Sequence, residues 1–205
     1  MTTVHPMPTP TIYFLRHGET EWNALGRFQG SKDIPLNDLG RRQAVQAGGI
    51  VKDLFAREDR SAADLHFVSS PLGRARSTME AVRAQLGLPP GDYALDDRLR
   101  EVGYGLWEGS TVAQQEASHP DIFASRQADK WGVAPPEGES YASITLRVRA
   151  WYDELTGDTV AVAHGGTARA LMVALGVLAP AAAADLTIEQ GAVYVFGPNG
   201  LAKYT

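Results

Sequence analysis

The chain has 205 residues, 44% of them hydrophobic, a net charge of −5 and no cysteine. That is enough for one substantial core, and the balance is that of a globular protein. The negative charge argues against a nucleic-acid surface, and the lack of cysteine removes disulfides, thiolate zinc sites and thiol nucleophiles.

Residues 1–10 hold no apolar stretch of the signal-peptide kind and read as a flexible lead-in. No apolar run approaches membrane-spanning length. The expectation is a cytoplasmic protein with neither membrane nor nucleic acid as a partner. Ile12 to Leu15 is a short apolar run between Pro10 and Gly18, and reads as a buried strand. Arg16, His17 and Gly18 stand directly beyond it, where open α/β sheets bind their ligands. Arg16 can fork onto a phosphate or carboxylate, and His17 is a potential nucleophile or proton carrier. Gly18 is expected to let the backbone approach the ligand closely.

A polar loop follows over residues 19–36. Asn37 or Asp38 then N-caps a helix to about Ala56, with Ala44, Val45, Ile50, Val51 and Leu54 on its apolar stripe. His66–Ser69 reads as a second strand. Ser70 and Pro71 open a helix to about Leu86, which puts Arg74 in its first turn. Tyr93–Leu95 is a third strand, and residues 96–109 a loop of glycine, aromatics and charge. Residues 110–131 are helical in two pieces broken at Pro120, and Ser140–Leu155 is amphipathic around Ile144, Val148 and Trp151. Asp158–Ala163 is a fourth strand, ending in His164, Gly165 and Gly166. Two strands that each deliver a histidine at the carboxyl end suggest one pocket for both imidazoles. A helix over Thr167–Leu175 and a short piece at Ala179–Ala184 follow. Strands at Leu186–Glu189, Ala192–Phe196 and Ala202–Thr205 close the chain, with a turn at Pro198–Gly200. The expected fold is α/β, a three-layer sandwich with a mixed, mostly parallel sheet flanked by helices. It forms one domain over residues 11–205, with 102–140 as a lid-like excursion.

Five blocks occur in an order that resembles the histidine phosphatase superfamily, in its phosphoglycerate-mutase-like branch. They are Arg16–Thr20 with Trp22–Asn23 and Arg27–Gly30; Ser69–Thr78; Leu99–Glu101 with Gly105–Gly109; Pro135–Ser140; and Val162–Gly166. The resemblance implies that His17 is the nucleophile and that Arg16, Arg74 and His164 hold the oxygens of the transferring phosphoryl group. It implies that Glu101 protonates the leaving group, and that Asn23, Gln29 and amides near Gly30 and Gly165 complete the anion nest. Arg76 is the rival of Arg74, and Glu19 and Glu108 are rivals of Glu101. Trp22, Phe28, Tyr104 and Trp107 are core aromatics or pocket walls, with Tyr104 taken as a substrate contact. His5, His66 and His119 fall outside every block and read as ordinary histidines. No cofactor and no metal are expected, because flanking arginines oppose a cation between His17, His164 and Glu101.

The expected activity is hydrolysis of a small-molecule phosphate ester through a phosphohistidine. Mutase activity and a non-catalytic phosphate-binding module are the alternatives. The segment Val102–Tyr141 holds only Arg126 and Lys130 as fixed cations, against Glu108, Glu116, Asp121, Asp129, Glu137 and Glu139. Such a cover should repel a second anion and suit an uncharged leaving group, which favours the phosphatase. Neither the ester nor the oligomeric state is legible, so self-association stays open.

Overall fold

The computed structural model describes residues 10–205. His5 and all of the expected lead-in except Pro10 lie outside these residues. In chain order the elements are β1 (Ile12–Arg16), α1 (Glu21–Ala24), α2 (Asp38–Arg57), β2 (His66–Ser69), α3 (Gly73–Gln85) and β3 (Ala94–Leu95). Then come α4 (Val112–Ser118), α5 (Pro120–Ala128), α6 (Tyr141–Asp153), β4 (Thr159–Ala163), α7 (Gly165–Ala174), α8 (Pro180–Asp185), β5 (Val193–Gly197) and β6 (Gly200–Tyr204).

The strands form one sheet in the order β3-β2-β4-β1-β5-β6. The first four are mutually parallel, while β5 runs antiparallel to β1 and β6 antiparallel to β5. The sheet is therefore mixed and mostly parallel. Alternation along β1 explains why its sequence is continuously apolar. Ile12 and Phe14 pack with Ile144 and Val148 of α6 and Leu171 of α7. Tyr13 and Leu15 point the other way, onto Ala47 and Val51 of α2 and Met79 of α3. A strand covered on both faces has no polar side to show.

This layering positions the site. The long helix α2 that follows β1 lies on one face of the sheet and α7, the helix after β4, on the other, although β1 and β4 are neighbours. A crevice opens at such a reversal, beyond the strands' carboxyl ends. The His17 amide extends the β1–β4 ladder to the Ala163 carbonyl at 3.0 Å, and the Ser70 amide ties the end of β2 to the Val162 carbonyl at 2.9 Å.

The structure departs from the sequence expectations in five places, the first being the short helix α1 inside the expected loop over residues 19–36. Val45 is 46% exposed, and the buried stripe of α2 runs through Ala44, Ala47, Val51, Leu54 and Phe55 instead. The helix expected from Ser70–Pro71 begins at Gly73, whose amide is capped by the Asp33 carboxylate at 2.8 Å. Residues 186–189 form no strand. The carbonyls of Leu186 and Ile188 accept instead from Arg169 Nε at 2.9 Å and Arg16 Nη1 at 2.8 Å, so this backbone serves side chains rather than a ladder. The turn at Pro198–Gly200 is tighter than expected, with Gly200 already paired to Gly197 in the hairpin.

Between Val102 and Ser140 the chain leaves the sandwich and returns. This excursion has its own anchor in Trp107, which is buried beside Phe123 and donates its indole N–H to His119 Nδ1 at 3.1 Å. Burying a side chain of this size contributes roughly 1.5–3 kcal/mol. Among the described residues, no helix is long and apolar enough to cross a membrane.

Candidate active site

Four side chains converge from the carboxyl ends of four parallel strands. His17 follows β1, His164 follows β4, and Arg74 lies in the first turn of α3 after β2. Glu101 comes after β3, beyond a single 3-10 turn at Asp97–Leu99. The two imidazoles are edge to face, with ring centroids 5.1 Å apart. His17 Nδ1 lies 2.7 Å from the Gly18 carbonyl oxygen, which can only accept. Nδ1 therefore carries the proton, and the lone pair of the neutral ring is on Nε2.

The guanidinium groups are anchored by backbone carbonyls and not by carboxylates. Arg16 donates to Ile188, and Arg74 donates to Lys32 at 2.6 Å and Gly30 at 2.9 Å. In both arginines Nε is buried without a partner, as is Nδ1 of His164. Two buried arginine N–H donors and an imidazole nitrogen, all without a partner among the described residues, suit the oxygens of a phosphoryl group.

Burial pushes the His17 pKa well below its ordinary value, and the Arg74 and Arg16 charges push it further down. His164 is lowered in the same way, first by burial and then by Arg74, His17 and Arg16. Both rings are thus neutral at physiological pH. Burial also lowers the pKa of Arg16 and of Arg74, which Glu101 partly offsets.

Glu101 is held by the start of α7. Its Oε1 accepts the Gly166 amide at 2.9 Å and the Val102 amide at 2.9 Å. A Cβ at Gly166 would sit 2.3 Å from that oxygen, so only glycine leaves the carboxylate its place. The rivals have other work. Glu19 accepts from Asn37 at 2.8 Å, Glu108 accepts the Ser31 amide at 2.8 Å, and Arg76 is exposed on α3.

Arg16, His17, Arg74, Glu101, Asn23, Gln29, Gly30, Tyr104 and Gly165 all line one cavity of about 340 Å³. His164 stands behind that lining, against His17. Gly18, like His164, is not among the lining residues, and its close neighbour is another backbone segment. A Cβ there would lie 2.1 Å from the Gly40 carbonyl oxygen, so Gly18 lets the end of β1 meet the first turn of α2. Gly30 contributes its carbonyl to Arg74. Asn23 uses Oδ1 in the capping box of α1 and accepts there from Gln190 at 3.0 Å. Gln29 is buried with Oε1 unpartnered. Tyr104 packs edge to face on Phe28, and burial followed by its Tyr141 and Glu101 neighbours raises its phenol pKa, so it remains a donor. Phe28 and Trp107 also reach the cavity, whereas Trp22 packs at Gly109.

The model of the histidine phosphatase superfamily (branch 1) matches residues 12–202. The chain belongs to that superfamily. It is 37% identical to a glucosyl-3-phosphoglycerate phosphatase of Mycolicibacterium vanbaalenii over 80% of this chain and 73% of that protein. It is 35% identical to a probable phosphoglycerate mutase of Shigella dysenteriae over 68% of this chain, spanning 60% of that protein's length. Among solved structures, a mycobacterial glucosyl-3-phosphoglycerate phosphatase in complex with VO3 superposes with a TM-score of 0.76 at 32% identity. That likeness covers 91% of this chain and 90% of the other.

The lid of this histidine phosphatase differs from its sequence expectation. Arg126 and Lys130 both line the cavity, and none of the six acids of the excursion does. Glu139 accepts the Gly103 amide and pairs with Arg147, Asp129 caps Gly132, and Glu116 and Asp121 are exposed. Glu108 ties the lid to the loop at Ser31. The expected acidic cover is thus cationic where it faces the site. Sequence reasoning also missed Arg169, Tyr141 and Gln115 among the lining residues, and Ser70, whose hydroxyl lies 2.7 Å from His164 Nε2.

Proposed function

We propose that this histidine phosphatase hydrolyses phosphate monoesters by passing the phosphoryl group to Nε2 of His17 and from there to water. The observation that carries the assignment is the hydrogen bond from His17 Nδ1 to the Gly18 carbonyl. It leaves the Nε2 lone pair among unpartnered arginine donors.

In the first step the Nε2–P bond forms and the ester O–P bond breaks. Arg16, Arg74 and His164 meet the charge on the three phosphoryl oxygens, and Glu101 gives its proton to the leaving oxygen. Ser70 supports the role of His164. Its hydroxyl oxygen accepts the Leu72 amide and lies 2.7 Å from His164 Nε2; with the hydroxyl proton given to Nε2, the ring proton falls on Nδ1, which then donates to a phosphoryl oxygen. In the second step Glu101 takes a proton from water, the water oxygen bonds to phosphorus, the N–P bond breaks and inorganic phosphate leaves. Charge neutralisation by fixed arginines supports a metal-independent reaction.

Brief exposure to a labelled ester should give an acid-labile, base-stable phosphoenzyme that is absent in His17→Ala. Label retained by that variant would refute the nucleophile. Activity should survive EDTA, and recovery of a chelated enzyme by zinc or magnesium would refute metal independence. The cationic lid interior also favours a mutase reading, because it removes the repulsion expected of an acidic cover. Supplying 3-phosphoglycerate with and without 2,3-bisphosphoglycerate separates the two, and primer-dependent interconversion faster than phosphate release would favour the mutase.

A further inference from the structure

We propose that Arg147 of α6 is the positioning residue for the proton donor Glu101, and that its pairing with Glu139 ties that alignment to the closed neck of the lid. The inference rests on the reading of Glu101 as general acid and base. It concerns the back of the Glu101 loop, and neither Arg147 nor Glu139 lines the cavity.

Glu101 needs support from outside because nothing regular holds its backbone. It follows the 3-10 turn at Asp97–Leu99 and precedes the lid, and it belongs to neither a strand nor a helix. The Gly166 and Val102 amides fix its carboxylate, but a side chain is only as well placed as the backbone that carries it. The carbonyls of Arg98, Leu99, Arg100 and Glu101 accept no backbone amide among the described residues. Arg147 takes three of them. Its Nη1 donates to Arg98 at 2.6 Å and to Arg100 at 2.8 Å, and its Nη2 donates to Glu101 at 3.2 Å. The Thr167 hydroxyl, in the first turn of α7, lies 3.3 Å from the Leu99 carbonyl oxygen and 3.1 Å from that of Arg100. Four consecutive carbonyls are thus met by two side chains, from helices that pack against each other. The planar guanidinium holds its N–H groups in fixed directions, so one arginine pins the loop at several points.

The same guanidinium reaches the lid. Its Nη2 lies 3.3 Å from Glu139 Oε2, and that oxygen also accepts the Gly103 amide at 2.8 Å. The Glu139 amide returns the bond, donating to the Gly103 carbonyl at 2.8 Å. Gly103 and Glu139 stand where the chain leaves the sandwich and where it comes back. The neck is tight, since a Cβ on Gly138 would lie 2.6 Å from the Gly103 carbonyl oxygen. A lid that loosens here takes the carboxylate away from Arg147, and pulls on Gly103 only two residues from Glu101. Displacing a proton donor by about 1 Å is enough to cost about a hundredfold in rate. Proton transfer is therefore aligned when the neck is closed.

The test is kcat on benzyl phosphate and nitrophenyl phosphate, which are similar in size but differ in whether the leaving group needs a proton. Arg147→Gln should lose about tenfold to a hundredfold on benzyl phosphate and much less on nitrophenyl phosphate. Added to Glu101→Gln, it should cost little more on benzyl phosphate, because the proton that it positions is already gone. Arg147→Lys keeps the charge without the fork and should show the same selective loss; full activity in that variant would make the role one of charge alone and overturn the proposal. Glu139→Ala should repeat the selectivity in weaker form, and equal losses on the two esters would break the link to the neck. Thr167→Val removes the hydroxyl at nearly constant volume and should also lose selectively, which keeps the test open if Arg147→Gln does not fold. Losses in the Arg147 and Thr167 variants that are equal on both esters, or that multiply with that of Glu101→Gln, overturn the proposal and leave the general acid in place. An equal loss on both esters in Glu101→Gln itself removes the general acid, and this proposal with it.

Discussion

The floor of the cavity and its lid are built on different rules. The floor is fixed by strand ends and by backbone: His17 and His164 directly follow neighbouring strands in register, and loop carbonyls of Ile188, Lys32 and Gly30 hold the two arginines. The lid reaches the cavity through short helices outside the sandwich, and which of its side chains face inward depends on how they pack around Trp107 and Tyr141. A floor of this kind suits chemistry common to many esters, and a lid of this kind suits choice among them.

The largest effect should come from the floor. His17→Ala should lose about four orders of magnitude or more in kcat on every ester, as expected when a nucleophile is removed. A loss confined to some esters would place the nucleophile elsewhere.

Arg74→Gln should follow, with about a hundredfold to thousandfold loss. It should also move the acidic limb of kcat/KM toward neutral pH. Burial is the larger cause of the low His17 pKa and would persist, but the Arg74 charge is the next. Removing that cation makes the imidazolium less unfavourable, so the pKa rises and more of the ring is protonated at a given pH. A pH profile with an unmoved limb would deny the coupling.

At the border between the two regions, Glu101→Gln and Gly166→Ala should resemble each other. The first removes the proton and the second displaces the carboxylate that carries it. Each should lose about tenfold to a hundredfold or more on alkyl esters and much less on nitrophenyl phosphate, whose leaving group departs without a proton. Uniform losses across both ester types would make Glu101 structural.

The smallest effect belongs to the lid. Trp107→Phe keeps the apolar bulk but loses the indole bond to His119, costing about 1 kcal/mol by thermal unfolding. Its effect on kcat for nitrophenyl phosphate should be slight compared with that of any floor substitution. A collapse of activity comparable to Arg74→Gln would end the distinction between floor and lid.

The same division sets what could be read from the sequence. A short apolar run followed by histidine marks both a buried strand and its reactive end, so β1, β4 and their histidines were legible, as was Arg74 in the first turn after β2. Glu101 was separable from Glu19 and Glu108 only by its block, and the structure separates them by partner. What stayed hidden is what the backbone and the packing decide. Gly18 looked like a ligand contact because a glycine needs a close neighbour, and the sequence does not say that the neighbour is Gly40. Leu186 and Ile188 looked like strand residues, although their carbonyls hold arginines. Counting charges over the lid gave the wrong sign for its inner surface, because a count does not know which side chains turn inward.

The anchoring of Arg16 also sets an order of events during synthesis. Its carbonyl partner, Ile188, lies 172 residues further along the chain. Both strands that pair with β1 are made late as well, β4 at Thr159–Ala163 and β5 at Val193–Gly197. The Leu186 carbonyl, which holds Arg169, emerges equally late. The floor therefore becomes competent to hold a phosphoryl group only when residues 186–188 have left the exit tunnel, and nascent chains released before then would be folded in part but unable to turn over ester.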